Sequence, residues 1–205
     1  MTRISVLLLG ALAAVIFALI ILIILPTTLM AEVPHPAGLR PYTSQELRGR
    51  EVYIANGCVY CHSQQLRDRH FTVDVARGWG TRSSVPADYV YDSPHLMGTM
   101  RTGPDLFNVG IRLPDPQWQL LHLYQPRAVV PWSIMPSHPF LFQHKESAVP
   151  GDQVLALPPQ FAPASGVIVA TPDAKALVAY LLALKHDYPA PAHDASGSRE
   201  DDDDQ

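Results

Sequence analysis

The chain has two cysteines, Cys58 and Cys61, with two residues between them, and His62 follows directly. Chance placement of two cysteines and nine histidines would give this arrangement about once in 2000 sequences of this composition. Two thiols at this spacing can add to the two vinyl groups of one haem. The neighbouring imidazole then reaches the iron from one face as its proximal ligand. The pattern therefore predicts a single, covalently attached haem c. Other uses of the pair explain less. A structural zinc site needs four ligands, commonly two such pairs, and no second pair is present. A thioredoxin-like redox pair expects a βαβ context that this sequence lacks. A disulfide of such short span would constrain little chain.

A haem iron held by His62 needs a ligand on its other face. Met135 lies between Pro131 and Pro136, a strap that can hold a thioether in place with little conformational freedom. A thioether opposite an imidazole favours reduced iron, which suits an electron carrier. Met97, Met100, His122 and His138 are the alternatives left open by residue type.

The elements that must position these residues are legible in outline. Residues Ile4 to Leu25 carry no charge, and Ser5 is their one clearly polar side chain. As a helix they would span about 33 Å, against about 30 Å of hydrocarbon core. The stretch predicts a membrane anchor over residues 1–30, with Pro26, Thr27 and Thr28 at its exit. Arg3 and the terminal amine predict an inside N-terminus and an outside globular part. A cleaved signal peptide fits less well, because the apolar run is too long and Leu29-Met30-Ala31 is a poor cleavage site. A Pro-rich linker occupies 31–42, with Pro34, Pro36 and Pro41.

The globular domain is expected over 43–188. Thr43 and Glu46 have capping-box spacing, which predicts a helix from Ser44 to Asn56, stopped by Gly57. Residues 63–101 read as a long irregular excursion, and such lengths are usually functional. A helix is expected over 116–124, loops or short strands over 141–170, and a last helix opening at Thr171 and Pro172. Lys185 and His186 suit the end of that helix. Residues 189–205 read as a disordered acidic tail. The 20 prolines limit long helices and central strands. The net charge of -4, with no basic patch, argues against nucleic acid as a partner. The fold class is thus mainly α, a single transmembrane helix followed by a helical haem domain with long irregular loops.

The stretch Gly49-Arg50-Glu51-Val52-Tyr53 through Gly57-Cys58-Val59-Tyr60-Cys61-His62 resembles class I cytochromes c, as does Thr102-Gly103-Pro104-Asp105-Leu106. The resemblance implies that the Pro104 carbonyl accepts the ring N–H of His62 and that Arg112 neutralises a haem propionate. It also implies that Gly49 and Tyr53 meet Leu177 and Tyr180 where the first and last helices cross. A narrower resemblance covers roughly residues 1–185. The anchor, the linker, Tyr89-Val90-Tyr91-Asp92-Ser93-Pro94, the Thr-Gly-Pro segment and Pro126-Arg127-Ala128-Val129-Val130-Pro131-Trp132-Ser133-Ile134-Met135-Pro136 follow in the order seen in the mono-haem, membrane-anchored subunit of cbb-type cytochrome c oxidases.

That resemblance implies Met135 as the distal ligand and packing of the excursion against neighbouring subunits. The implied partners are a catalytic haem-copper oxidase subunit and a di-haem cytochrome c subunit or a soluble cytochrome c. The implied location is the bacterial inner membrane, single-pass, with the C-terminal domain periplasmic. Such a chain moves electrons and is not catalytic alone. Residues 63–86, residues 141–170 and the acidic tail depart from the pattern. Two other readings stand beside it: the cytochrome c subunit of a membrane nitric oxide reductase, and a free-standing tethered electron carrier.

Overall fold

Thr2 opens the first helix by accepting a hydrogen bond from the Ser5 amide at 3.3 Å, and a continuous helix then runs over Arg3–Ala31. The computed structural model describes residues 2–191, and most of the expected acidic tail lies outside them. The long helix has three parts: α1 (Arg3–Leu19), a π-helical turn (Ile20–Ile24) and α2 (Leu25–Ala31). None of its apolar side chains is buried, and it is long and apolar enough to cross a membrane.

Pro26 does not end this helix, contrary to the expectation from its residue type. It sits in the first turn of α2, directly after the π turn. A proline has no N–H to donate and its ring crowds the preceding turn, and a wider turn relieves both. Thr27 then bonds the Ile23 carbonyl at 2.6 Å and Thr28 bonds the Leu25 carbonyl at 2.9 Å. Carbonyls near the disturbed turn thereby gain donors.

The described residues form two compact units. One takes in residues 2–39, 85–90 and 188–191. It contains the long helix and a short 3₁₀ turn, Pro86–Tyr89, closed by the Asp88 carboxylate on the Val85 amide at 2.8 Å.

The other unit, residues 40–84 and 91–187, carries every candidate haem residue. Its first helix, α3 (Ser44–Ala55), has the expected capping box. Glu46 accepts from the Thr43 amide at 2.7 Å and is clamped by Arg40 at 2.6 and 2.8 Å. Gly57, at φ 67°, closes the helix in the left-handed region that glycine adopts readily. Then follow α4 (Val109–Arg112), α5 (Pro116–Tyr124), β1 (Phe142–Lys145), β2 (Val167–Ala170) and α6 (Pro172–Ala183). The strands pair antiparallel, Phe142 opposite Ala170. They give the 141–170 region a small hairpin-like frame within a mostly helical chain.

Helices α3 and α6 cross at Gly49, where a Cβ would overlap the Ala176 carbonyl. Tyr53 meets Tyr180 edge-on at 5.6 Å, and both are fully buried. The Tyr180 hydroxyl reaches the Gln64 side chain at 3.0 Å, which links the crossing to the segment just past His62. Burying two aromatic rings at one crossing supplies several kcal/mol, on the order of 2 per ring.

The last helix stops at Ala183, short of Lys185 and His186. His186 does not serve the helix end. It is buried, stacks on Phe107 at 4.1 Å and bonds the Phe107 carbonyl through Nδ1 at 2.6 Å.

Candidate functional site

The Cys motif begins where α3 ends. The left-handed turn at Gly57 leads into a single 3₁₀ turn, Cys58–Tyr60, whose carbonyl at Cys58 accepts from the amides of Cys61 and His62 at 3.1 and 3.0 Å. This turn folds the two thiols and the imidazole back onto one short loop. Both cysteines are free thiols; Cys58 is half-buried and Cys61 is exposed. Burial pushes the Cys58 thiol up to about 11, so it stays protonated at neutral pH.

His62 is half-buried and its Nδ1 lies 2.7 Å from the Pro104 carbonyl oxygen. Donation to that carbonyl puts the proton on Nδ1 and leaves the Nε2 lone pair for a metal. Burial pulls the ring below its ordinary pKa, and the Pro104 bond opposes that shift in part. A neutral imidazole is the form that binds iron. Gly103 lies flat against the ring, since a Cβ there would overlap Cε1, Nδ1 and Nε2 of His62.

The segment carrying Gly103 and Pro104 is paired with the segment after His62. The Gly103 amide donates to the Cys61 carbonyl at 2.9 Å and the Leu106 amide to the Ser63 carbonyl at 2.8 Å. Asp105, fully buried, lies between them. The excursion from residue 63 is irregular, as expected, but it is not loose. The Gln64 amide bonds the Met97 carbonyl at 2.7 Å and the Ser84 amide bonds the Leu66 carbonyl at 3.0 Å. Arg101 grips Asp74 at 2.6 and 2.8 Å. Burial alone would raise the Asp74 carboxyl, yet Arg101 and the Arg67 amide hold it below its ordinary range.

Arg112 stands at the end of α4 and donates to the Asp105 carbonyl. Its Nε is buried without a partner, and burial lowers its pKa. Trp79 gathers three guanidinium groups, those of Arg77, Arg101 and Arg112, at 5.1, 5.3 and 5.9 Å from its ring.

Met135 lies in the strap after α5. The strap is fixed to that helix by the His138 amide on the Leu123 carbonyl at 2.9 Å and by Ser137 on the Gln125 side chain at 3.1 Å. The Met135 side chain is half-buried against the apolar core, against which Cys58, Val59 and Leu106 also pack. Its neighbours Trp132 and Ile134 are 82% and 74% exposed, so the strap turns Met135 inward between outward-facing residues. Met97 and Met100 are both exposed. His122 stacks on Trp118 at 4.8 Å, and burial, with His62 and His138 nearby, pulls it down to about 4. The Nδ1 atoms of His122 and His138 are buried without partners.

The donor set fits a haem. Free thiols at the vinyl spacing, a neutral imidazole with Nε2 available, and a glycine that leaves room for that ring are all on one unit of the chain. Arg101, Gly103 and Asp105 belong to the segment that carries the family resemblance, but the sequence assigned none of them a role of its own, and it did not point to Trp79. Asp105 carried one local signal, an acidic residue two positions before an amide it caps, Phe107 at 2.8 Å. No curated protein matches the chain. A family model described as cytochrome c oxidase, mono-heme subunit/FixO, matches residues 1–156. The chain therefore belongs to the FixO family of mono-haem cytochrome c oxidase subunits, which makes it a haem protein of electron transport with a catalytic oxidase as partner.

Proposed function

We propose that the chain binds one haem covalently through Cys58 and Cys61 and relays electrons to the catalytic haem-copper subunit of a cbb-type oxidase. The electrons come from a di-haem subunit or a soluble cytochrome c. The long apolar helix anchors the chain in the bacterial inner membrane, with the haem unit in the periplasm. Bound haem supplies a one-electron iron couple, and the chain's own groups set how it is held.

His62, oriented by Pro104, would hold the haem iron through its free ring nitrogen. Met135, presented by its proline-bounded strap, would supply a second, thioether ligand, which favours reduced iron. Arg112 offers charge to a propionate from a place where its Nε lacks a protein partner. The observation that carries the reading is the 2.7 Å contact between His62 Nδ1 and the Pro104 carbonyl, beside two free thiols at the vinyl spacing.

The test is purification of the full chain in mild detergent. The expected result is haem that survives denaturing electrophoresis and copper in the co-eluting partner. Loss of the haem under denaturation overturns covalent attachment, and non-haem iron in place of copper overturns the oxidase assignment. His62→Ala is expected to abolish normal low-spin haem.

A further inference from the structure

We infer that Asp105 is a positioning residue for the iron ligand His62, an inference that rests on the haem reading above. Asp105 has no solvent exposure at all. Its Oδ2 accepts from the Ser63 hydroxyl at 2.6 Å and from the Gln65 amide at 2.9 Å. Its Oδ1 accepts from the Phe107 amide at 2.8 Å. Arg101 approaches Oδ2 at 3.7 Å.

These contacts have a particular arrangement in the chain. Ser63 is the residue next to His62, and Asp105 is the residue next to Pro104. One carboxylate therefore spans the two segments whose register decides whether the His62 ring meets the Pro104 carbonyl and lies on Gly103. The backbone bonds Gly103 to Cys61 and Leu106 to Ser63 flank it on either side. Burying a carboxylate is costly, and an apolar pair could join two loops at lower cost. What an apolar pair cannot supply is direction. Three donors converging on two oxygens fix the segments to within the tolerance of a hydrogen bond.

The consequence reaches the iron through the imidazole. Donation from Nδ1–H to a carbonyl makes the ring a stronger base and favours the oxidised metal. Without Asp105, His62 and Pro104 would drift apart, the ring would lose basicity, and the reduction potential would rise. An effect on folding alone would lower stability and leave potential and ligand field where they were.

The experiment uses full-length protein in detergent, comparing wild type with Asp105→Ala, Asp105→Asn and Ser63→Ala. The readouts are covalent haem content, midpoint potential and the low-spin electron paramagnetic resonance signature of the oxidised iron. The expected order of upward shift in potential is Ala, then Asn at position 105, with altered spectra in the same order. Asn retains one acceptor oxygen and so rescues in part. Ser63→Ala removes a single bond from a small side chain and should shift the potential upward by the least. If Asp105→Ala yields no protein, Ser63→Ala and Asp105→Asn decide the matter. Variants loaded with haem, with wild-type potential and spectrum, overturn the positioning role alone. Wild type without covalent haem overturns the function on which the role depends.

Discussion

Between residues 61 and 112 the chain is held by directed polar contacts, whereas between residues 126 and 139 it is held by prolines and apolar packing. On the first side, Pro104, Asp105, Arg101 and Asp74 fix their neighbours through bonds of 2.6 to 2.9 Å. On the second, Met135 sits on the core, and the strap around it makes few side-chain bonds, chiefly Ser137 to Gln125. The two ligands we assign to the iron come from these two sides. An imidazole has a ring plane and a proton to be set, so it needs directed bonds. A thioether has neither, so it needs only to be kept near.

The sharpest way to break the comparison is to disturb the His62 ring itself. Gly103→Ala places a methyl group against three ring atoms of His62. Normal low-spin haem is expected to be lost or strongly diminished, as read by the reduced absorption spectrum. A normal spectrum from this variant would show that the proximal side tolerates error and would remove the contrast. Met135→Ala is expected to act differently. The haem should stay attached, because both thiols are untouched, while the potential falls with loss of the thioether. An unchanged spectrum and potential would exclude Met135 as the ligand.

Acid separates the two sides further. His122, in the last turn of the helix to which the strap is fixed, is held at about 4 by burial and by the neighbouring His62 and His138, against about 6.5 when unfolded. Between those values the unfolded chain takes up the proton and the folded chain does not, so stability falls as pH drops from about 6.5 toward 4. His122→Phe should flatten that part of a melting-temperature profile. Asp74, on the proximal side, is held below its ordinary value, chiefly by Arg101 working against burial. Its contribution is complete above about pH 4 and is lost as pH falls through the folded value. Asp74→Asn should remove this lower window, and at neutral pH should lower stability by about 1–3 kcal/mol, because Arg101 is left with the Asp105 carboxylate at 3.7 Å and the Gln65 carbonyl at 2.8 Å. Chemical denaturation at pH 7 and at pH 3.5 measures both effects. A His122→Phe profile identical to wild type would leave only the proximal side sensitive to acid.

The contrast also explains what could be read from the sequence. Cys58, Cys61 and His62 were legible because two thiols and an imidazole within five residues make a pattern that is wholly local in sequence. The Thr43–Glu46 capping box and the Thr171 cap were legible for the same reason, since each bond spans three residues. Asp105 reaches Ser63 and Gln65 across about forty residues of chain, and no local period encodes that. The Arg101–Asp74 clasp also joins distant positions, 27 residues apart, so the excursion looked freer than it is. Pro26 misled in the opposite way. Its local rule is sound, but the π turn before it absorbs the missing donor and the helix continues.

The smallest effect concerns the strap's prolines. Pro131 and Pro136 restrict the unfolded chain as well as the folded one, so replacing Pro131 with Ala should cost only about 0.4–1 kcal/mol. If the strap works by stiffness, the cost should appear in dynamics before it appears in stability. Pro131→Ala should then bind an external ligand such as cyanide faster, because Met135 leaves the iron more often, while its midpoint potential stays near wild type. A stiff strap predicts a change in rate with little change in equilibrium. An unaltered rate would mean that apolar packing of Met135 on the core, rather than the prolines, holds the ligand in place.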